Sequence, residues 1–169
     1  MIGVRRNLEV VTNVAILVVC GAILWTYLGH KVRSLPVNGE EASLEGTSLS
    51  PLPGYNWSHQ QGTLILAIRK GCHFCENSLP FYKRLSTLHE DKNLQVHVMV
   101  VMPDDKTSAE SLLRSAGVSV DGVFDMPLSS LHVSATPTIL LVNAKGRVDK
   151  AWVGQLSQEG EGDVISHLK

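Results

Sequence analysis

Apolar residues fall into one long unbroken run, several short runs, and two stretches spaced at helical period. The long run, Val10 to Leu28, reads VVTNVAILVVCGAILWTYL and carries no charge. At helical rise it spans roughly 28 Å, close to the hydrocarbon thickness of a bilayer. Thr12 and Asn13 near one end and Trp25 and Tyr27 near the other suit the two interfaces. The run predicts a transmembrane anchor over 10–28 behind a short tail, 1–9, rather than a buried core helix. A cleaved signal peptide is the competing reading, because Arg5 and Arg6 precede the run. The run is longer than a usual h-region, and GHKVRSLP after it offers no small-x-small cleavage site, so an uncleaved anchor is expected. Cys20 lacks the small residues that precede a lipid-modified cysteine and reads as an apolar filler.

Residues 29–54 are rich in Ser, Gly, Pro and Glu and poor in periodic apolar positions. They read as juxtamembrane linker and early loops, with room for a short edge hairpin, so the domain starts anywhere from about residue 36. Its main body is expected over 55–169. There Thr63 to Arg69, TLILAIR, reads as a strand buried on both faces. Phe74, Phe81, Leu85 and Leu88 then recur on one face of a helix over 72–91. Leu94 to Val101 is a β-branched strand closed by Pro103, and Ala109, Leu112, Leu113 and Ala116 mark a second helix stopped by Gly117. Thr138 to Val142 and Arg147 to Val153 form a hairpin around Asn143 to Gly146, and Val164, Ile165 and Leu168 suggest a terminal helix. This order predicts an α/β sandwich around a mixed sheet.

At 169 residues the chain has room for one such domain and its appendage. Lys plus Arg (15) nearly balances Asp plus Glu (16), so no nucleic-acid surface is indicated. Seven histidines are scattered rather than spaced as ligand sets, and no metal site is expected. Arg5 and Arg6 before the anchor nearly tie with Lys31 and Arg33 after it, a weak lean toward a cytoplasmic amino terminus.

Cys72-His73-Phe74-Cys75 falls between the buried strand and its helix. The first sulfur can occupy the helix amino terminus, where unpaired N–H groups and the macrodipole favour a thiolate, and the second lies one turn away, within reach of a disulfide. Arg69, Lys70 and a protonated His73 would add positive potential. A half zinc site would need another Cys or His pair, and c-type haem attachment would need His where Glu76 stands. Redox chemistry is the expected use. No P-x-x-x-T-x-x-C pattern points to a peroxidase of the peroxiredoxin type.

The strand TLILAIR, then CHFC, then Pro80, then Thr136-Pro137-Thr138 opening a strand, together resemble the thioredoxin superfamily over nearly the whole chain after the linker. The helix between the second strand and Thr-Pro-Thr, together with the anchor, resembles its TlpA-like extracytoplasmic branch, whose members include reductases serving cytochrome c maturation. The resemblance implies a thioredoxin-like three-layer sandwich, a catalytic pair Cys72 and Cys75, and a cis Pro137 beside it. It further implies a Thr136 backbone offered to substrate and a kink at Pro80. His73, Phe74 and Lys70 would tune the pair. It implies no cofactor beyond the disulfide, protein thiol or disulfide substrates, a membrane or extracytoplasmic dithiol partner, and a domain outside the cytoplasm. Reductase is the expected direction; a disulfide donor and a redox-silent binding module are the alternatives. Two departures bear on potential and substrate choice: Leu66 stands where thioredoxin is acidic, and Gly71 where an aromatic usually precedes the first cysteine.

Overall fold

The computed structural model describes Val19, Glu41, residues 43–59, 61–91, Leu94 and residues 96–103 and 105–168. The chain divides into two units, Met1–Pro36 and Val37–Lys169. Apart from Val19, the expected membrane span at 10–28 lies outside the described residues. Among the described residues no helix is long and apolar enough to cross a membrane.

Alternation along the strands builds the sheet of the second unit. In β1, Gly62–Ala67, every residue is buried. Leu64 and Leu66 join one apolar cluster while Ile65 and Ala67 join another, as successive side chains on a pleated strand must. β2, His97–Val101, lies parallel to β1, and β3, Gly122–Phe124, parallel to β2. β4, Thr138–Asn143, and β5, Val148–Val153, are antiparallel additions, giving the order β3-β2-β1-β4-β5. Helix α1, His73–Glu90, connects β1 to β2; α2, Lys106–Ala116, connects β2 to β3; α3, Gln158–His167, follows β5. Three-residue β3 and the 3-10 turn Leu128–Leu131 are too short to show a period and were not expected.

The helix ends follow their sequence signals. Asp105 caps α2 by accepting from the Thr107 N–H at 2.9 Å, and Gly117 closes it in the left-handed region. α3 forms despite Gly160 and Gly162, held by the Ser157 cap, the Trp152 indole N–H donating to Asp163 (2.8 Å), and an Arg84–Glu161 ion pair to α1. Pro80 lies inside α1, on an exposed face, and the helix continues past it.

The third layer departs from expectation. All three helices pack on the Leu64, Leu66, Val98 and Val100 face, through Phe81, Tyr82 and Leu85 from α1, Leu113 from α2 and Val164 from α3. Among the described residues the opposite face is covered by a helical turn ending at Leu44, by loops and by 3-10 turns: Leu44, Leu49, Leu52, Trp57, Leu128 and Leu131 bury the Ile65 and Val101 side. Residues 43–54, read from sequence as linker and early loops, thus carry three leucines into the core. Their Gly, Pro and Ser content forbids a long helix but does not prevent burial of the leucines between. Ser48 bridges to Arg147, and the Leu49 N–H donates to the Gly146 carbonyl at 2.7 Å. Gly146 has φ +75°, and a Cβ there would meet the Trp57 ring at 2.7 Å, so only glycine fits this hairpin under this segment.

Candidate active site

β1 and β4 run antiparallel with Ala67 opposite Thr138. The carboxyl end of β1 therefore lies beside the start of β4, and the register alone brings the loop after β1 to the segment before β4. Gly71 ends that loop at φ +68°. A side chain would be strained in this conformation, which accounts for glycine where the resemblance leads one to expect an aromatic.

Cys72 is the N-cap of α1, and its Sγ accepts from the Cys75 backbone N–H at 3.2 Å. Its carbonyl accepts from the amides of Cys75 and Glu76. Cys72 and Cys75 are joined as a disulfide with Cα atoms 5.2 Å apart. The two sulfurs have unequal surroundings: Cys72 is half-buried, whereas Cys75 is 1% exposed and packed in the core cluster. Thr136 closes on the first sulfur, its hydroxyl donating to Cys72 Sγ at 3.5 Å and its carbonyl 3.6 Å away. The Thr136–Pro137 bond is cis. The Pro137 carbonyl accepts from the Gly154 N–H at 2.7 Å, tying this loop to the end of β5.

The three expected tuning residues sit around the pair in different ways. Lys70 Nζ donates to Ser108 Oγ at 3.3 Å, toward α2. The His73 ring lies 3.2 Å from Asn77 Nδ2, which also donates to Gln155 Oε1. Phe74 was grouped with Phe81, Leu85 and Leu88 by its spacing, but it is 58% exposed while Phe81 and Leu85 are buried. It occupies the first turn of α1, where Cys75 rather than Phe74 is the buried residue.

Beneath Cys75 the surroundings are apolar and neutral. Leu66 is fully buried, and the buried polar residues among those described are Thr63, Ser78, Ser86 and Thr138. The Ser78 hydroxyl donates to the Phe74 carbonyl at 2.8 Å. Burial pushes the Tyr82 hydroxyl pKa up, so this group stays protonated wherever the fold is stable. Among the described residues no group of three or more Cys, His, Asp or Glu is placed to hold a metal ion. Spacing could not have found Arg69, Met102, Ser108 and Leu112, which line a hollow beside Gly71, because they come from three separate elements or loops.

A two-cysteine helix start with a Thr-Pro segment closed over its first sulfur, on a mixed five-stranded sheet with three helices, defines a class: the thioredoxin-like thiol-disulfide oxidoreductases. No family model matches the chain. Its sequence is 23% identical over 180 residues to thiol-disulfide oxidoreductase ResA of Bacillus subtilis (strain 168), a match covering 98% of this chain and 95% of that protein. Its fold is similar to the crystal structure of StoA from Bacillus subtilis, with TM-score 0.53 and 18% identity over 64% of this chain and 83% of that one. It is also similar to the solution structure of a thiol:disulfide interchange protein from a Bacteroides species, with TM-score 0.54 and 15% identity over 73% and 90% of the two chains. The chain is thus similar in sequence to ResA and in fold to these thioredoxin-like structures, and it carries a Cys72–Cys75 pair joined as a disulfide.

Proposed function

We propose that the chain is a membrane-anchored, extracytoplasmic disulfide reductase of the cytochrome c maturation type, with Cys72 the attacking and Cys75 the resolving sulfur. The observation that carries this reading is the inequality of the two sulfurs. Cys72 lies at the helix terminus under a backbone N–H and beside Thr136, where a second sulfur can approach. Cys75 is sealed beneath it. In the reduced enzyme the Cys72 thiolate attacks a substrate disulfide, one substrate sulfur leaves as a thiolate, and a mixed disulfide forms. Cys75, losing its proton, attacks Cys72 Sγ and releases the second substrate thiol. The Cys72–Cys75 disulfide remains, and a membrane or extracytoplasmic dithiol partner returns the two electrons. No further cofactor enters. The Thr136 and Pro137 segment is proposed to hold the substrate chain as an added strand.

The direction is supported by where the neighbouring cations go. Lys70 donates to Ser108, the His73 ring lies against Asn77, and the donors in contact with Cys72 Sγ are the Cys75 backbone N–H at the helix terminus and the Thr136 hydroxyl, which supports the helix terminus as the main stabiliser of a Cys72 thiolate. A modest stabilisation keeps the disulfide from being strongly oxidising. Location outside the cytoplasm is supported by the apolar run 10–28 with Arg5 and Arg6 before it. Phe74 and His73, exposed beside Cys72, are proposed to meet the substrate rather than to set the potential.

The reading is tested by alkylation. In intact cells, after reduction, a membrane-impermeant maleimide labels Cys72 at least about tenfold faster than Cys75 near neutral pH, as thiolate character and exposure require. Faster labelling of Cys75 overturns the roles, and labelling that appears only after lysis overturns the location.

A further inference from the structure

Beside the first cysteine, between the loop after β1 and helix α2, lies a hollow of about 250 Å³. Its floor is apolar: Met102 is buried, and Leu112 packs on the same core. Its walls are polar, with Arg69 and Lys70 on one side and Ser108 and Ser111 on the other. The two cations are not equivalent. Lys70 donates to Ser108 Oγ, which in turn donates to Asp105 Oδ2 at 2.6 Å. That hydroxyl bond holds the Asp105 carboxyl below the usual carboxylate range, with a smaller contribution from the Lys70 charge. The Lys70 ammonium is thus matched through Ser108 by a resident anion. Arg69 is exposed, and its guanidinium makes no hydrogen bond or ion pair among the described residues, so its planar donor fork is open to a ligand.

We propose that this hollow receives an acidic side chain of the substrate polypeptide, from a residue close to its reacting cysteine. The inference rests on the exchange reading above and specifies which substrates it favours. Several observations converge on this occupant. The volume falls below the roughly 300 Å³ at which cofactor and small-molecule sites begin, but accommodates a side chain. The apolar floor suits a methylene stem, and Arg69 with the Ser111 hydroxyl suits the carboxylate at its end. Gly71 lines the hollow and is joined directly to Cys72, so a peptide whose sulfur is at Cys72 has the hollow within a few residues' reach. Glu76 also lines the hollow, and its charge opposes an anion beside it, which leaves the Arg69 side as the place where a carboxylate settles.

The test uses the full-length chain in detergent and disulfide-bonded peptides that differ only by Glu or Gln at each position within four residues of the reacting cysteine. At one position the Glu peptide is reduced about fivefold faster than its Gln twin at low salt, the size expected of a partly exposed, well-formed ion pair. Arg69→Gln brings that ratio close to one, and Glu76→Gln raises it. A change at Arg69 acting only through the Cys72 thiolate would slow both peptides alike and leave the ratio intact. An intact ratio in Arg69→Gln, or the absence of any position with a Glu preference on an active enzyme, overturns the subsite. If the wild type reduces neither peptide, exchange itself fails and the subsite falls with it.

Discussion

Cys72→Ser abolishes reduction of insulin disulfides in a dithiothreitol-driven assay, lowering turnover at least about a thousandfold, because the remaining thiol of the pair, Cys75, is buried away from substrate. Cys75→Ser behaves differently. Its Cys72 remains at the helix terminus, so the first attack proceeds and the enzyme stops as a covalent adduct with its substrate, visible as a higher-mass band that thiol reagent removes. The two variants therefore separate attack from resolution. Adduct on Cys72→Ser but not on Cys75→Ser would exchange the roles, and full turnover by Cys72→Ser would place the chemistry elsewhere. The fold around the site predicts that neither serine unfolds the domain, since each replaces sulfur by a smaller oxygen within a helix start whose backbone bonds persist.

A second large effect is expected at Leu66. The side chain is fully buried on the face where α1 packs, in one cluster with Cys75, Tyr82 and Leu85. Leu66→Ala removes that packing and leaves a cavity, at a cost of about 3 kcal/mol. Leu66→Asp introduces the acidic group that thioredoxin carries at this position, but into surroundings with no buried cation among the described residues. Burial raises the folded-state pKa of such a carboxyl above its unfolded value near 4. The variant is then least impaired below about pH 4, where the acid is neutral in both states, and loses further stability as pH rises through the folded-state pKa. A rise of two units corresponds to about 2.7 kcal/mol of additional loss by pH 7. Urea unfolding at pH 4 and pH 7 measures this; a Leu66→Asp variant that gains stability toward pH 7 would show a compensating charge at this site.

Those same positions show how far the sequence could be read. Thr63 to Ile68 is legible as a buried run because all its residues are apolar or small, and CHFC is legible as a helix start because it follows that strand and precedes a helical period. The contact of Thr136 with Cys72 follows from an antiparallel register that no local pattern specifies; the resemblance implied Pro137 beside the pair and a Thr136 backbone offered to substrate. Leu44, Leu49 and Leu52 escaped reading as core because their spacing fits neither helix nor strand; their burial follows from the tertiary packing of this segment on the Ile65 and Val101 side of the sheet. Phe74 departs in the reverse sense: period places it on the buried side of α1, but in the first turn it is Cys75 that is buried and Phe74 that is exposed. Arg69 reads as one more charge until the fold sets it across from α2, with Lys70 already occupied by Ser108.

The central proposal, a reducing Cys72–Cys75 couple, is tested most directly by its equilibrium reduction potential, measured on the full-length chain in dithiothreitol and glutathione buffers of defined poise. With the helix-terminal N–H and the Thr136 hydroxyl as the donors in contact with Cys72 Sγ, the disulfide is expected to titrate as one reversible two-electron couple at about −250 mV or lower, in the range of thioredoxin-type reductants. A potential near about −120 mV, that of a strong disulfide donor, would contradict the proposed direction, and a pair that failed to titrate reversibly would contradict the exchange chemistry itself.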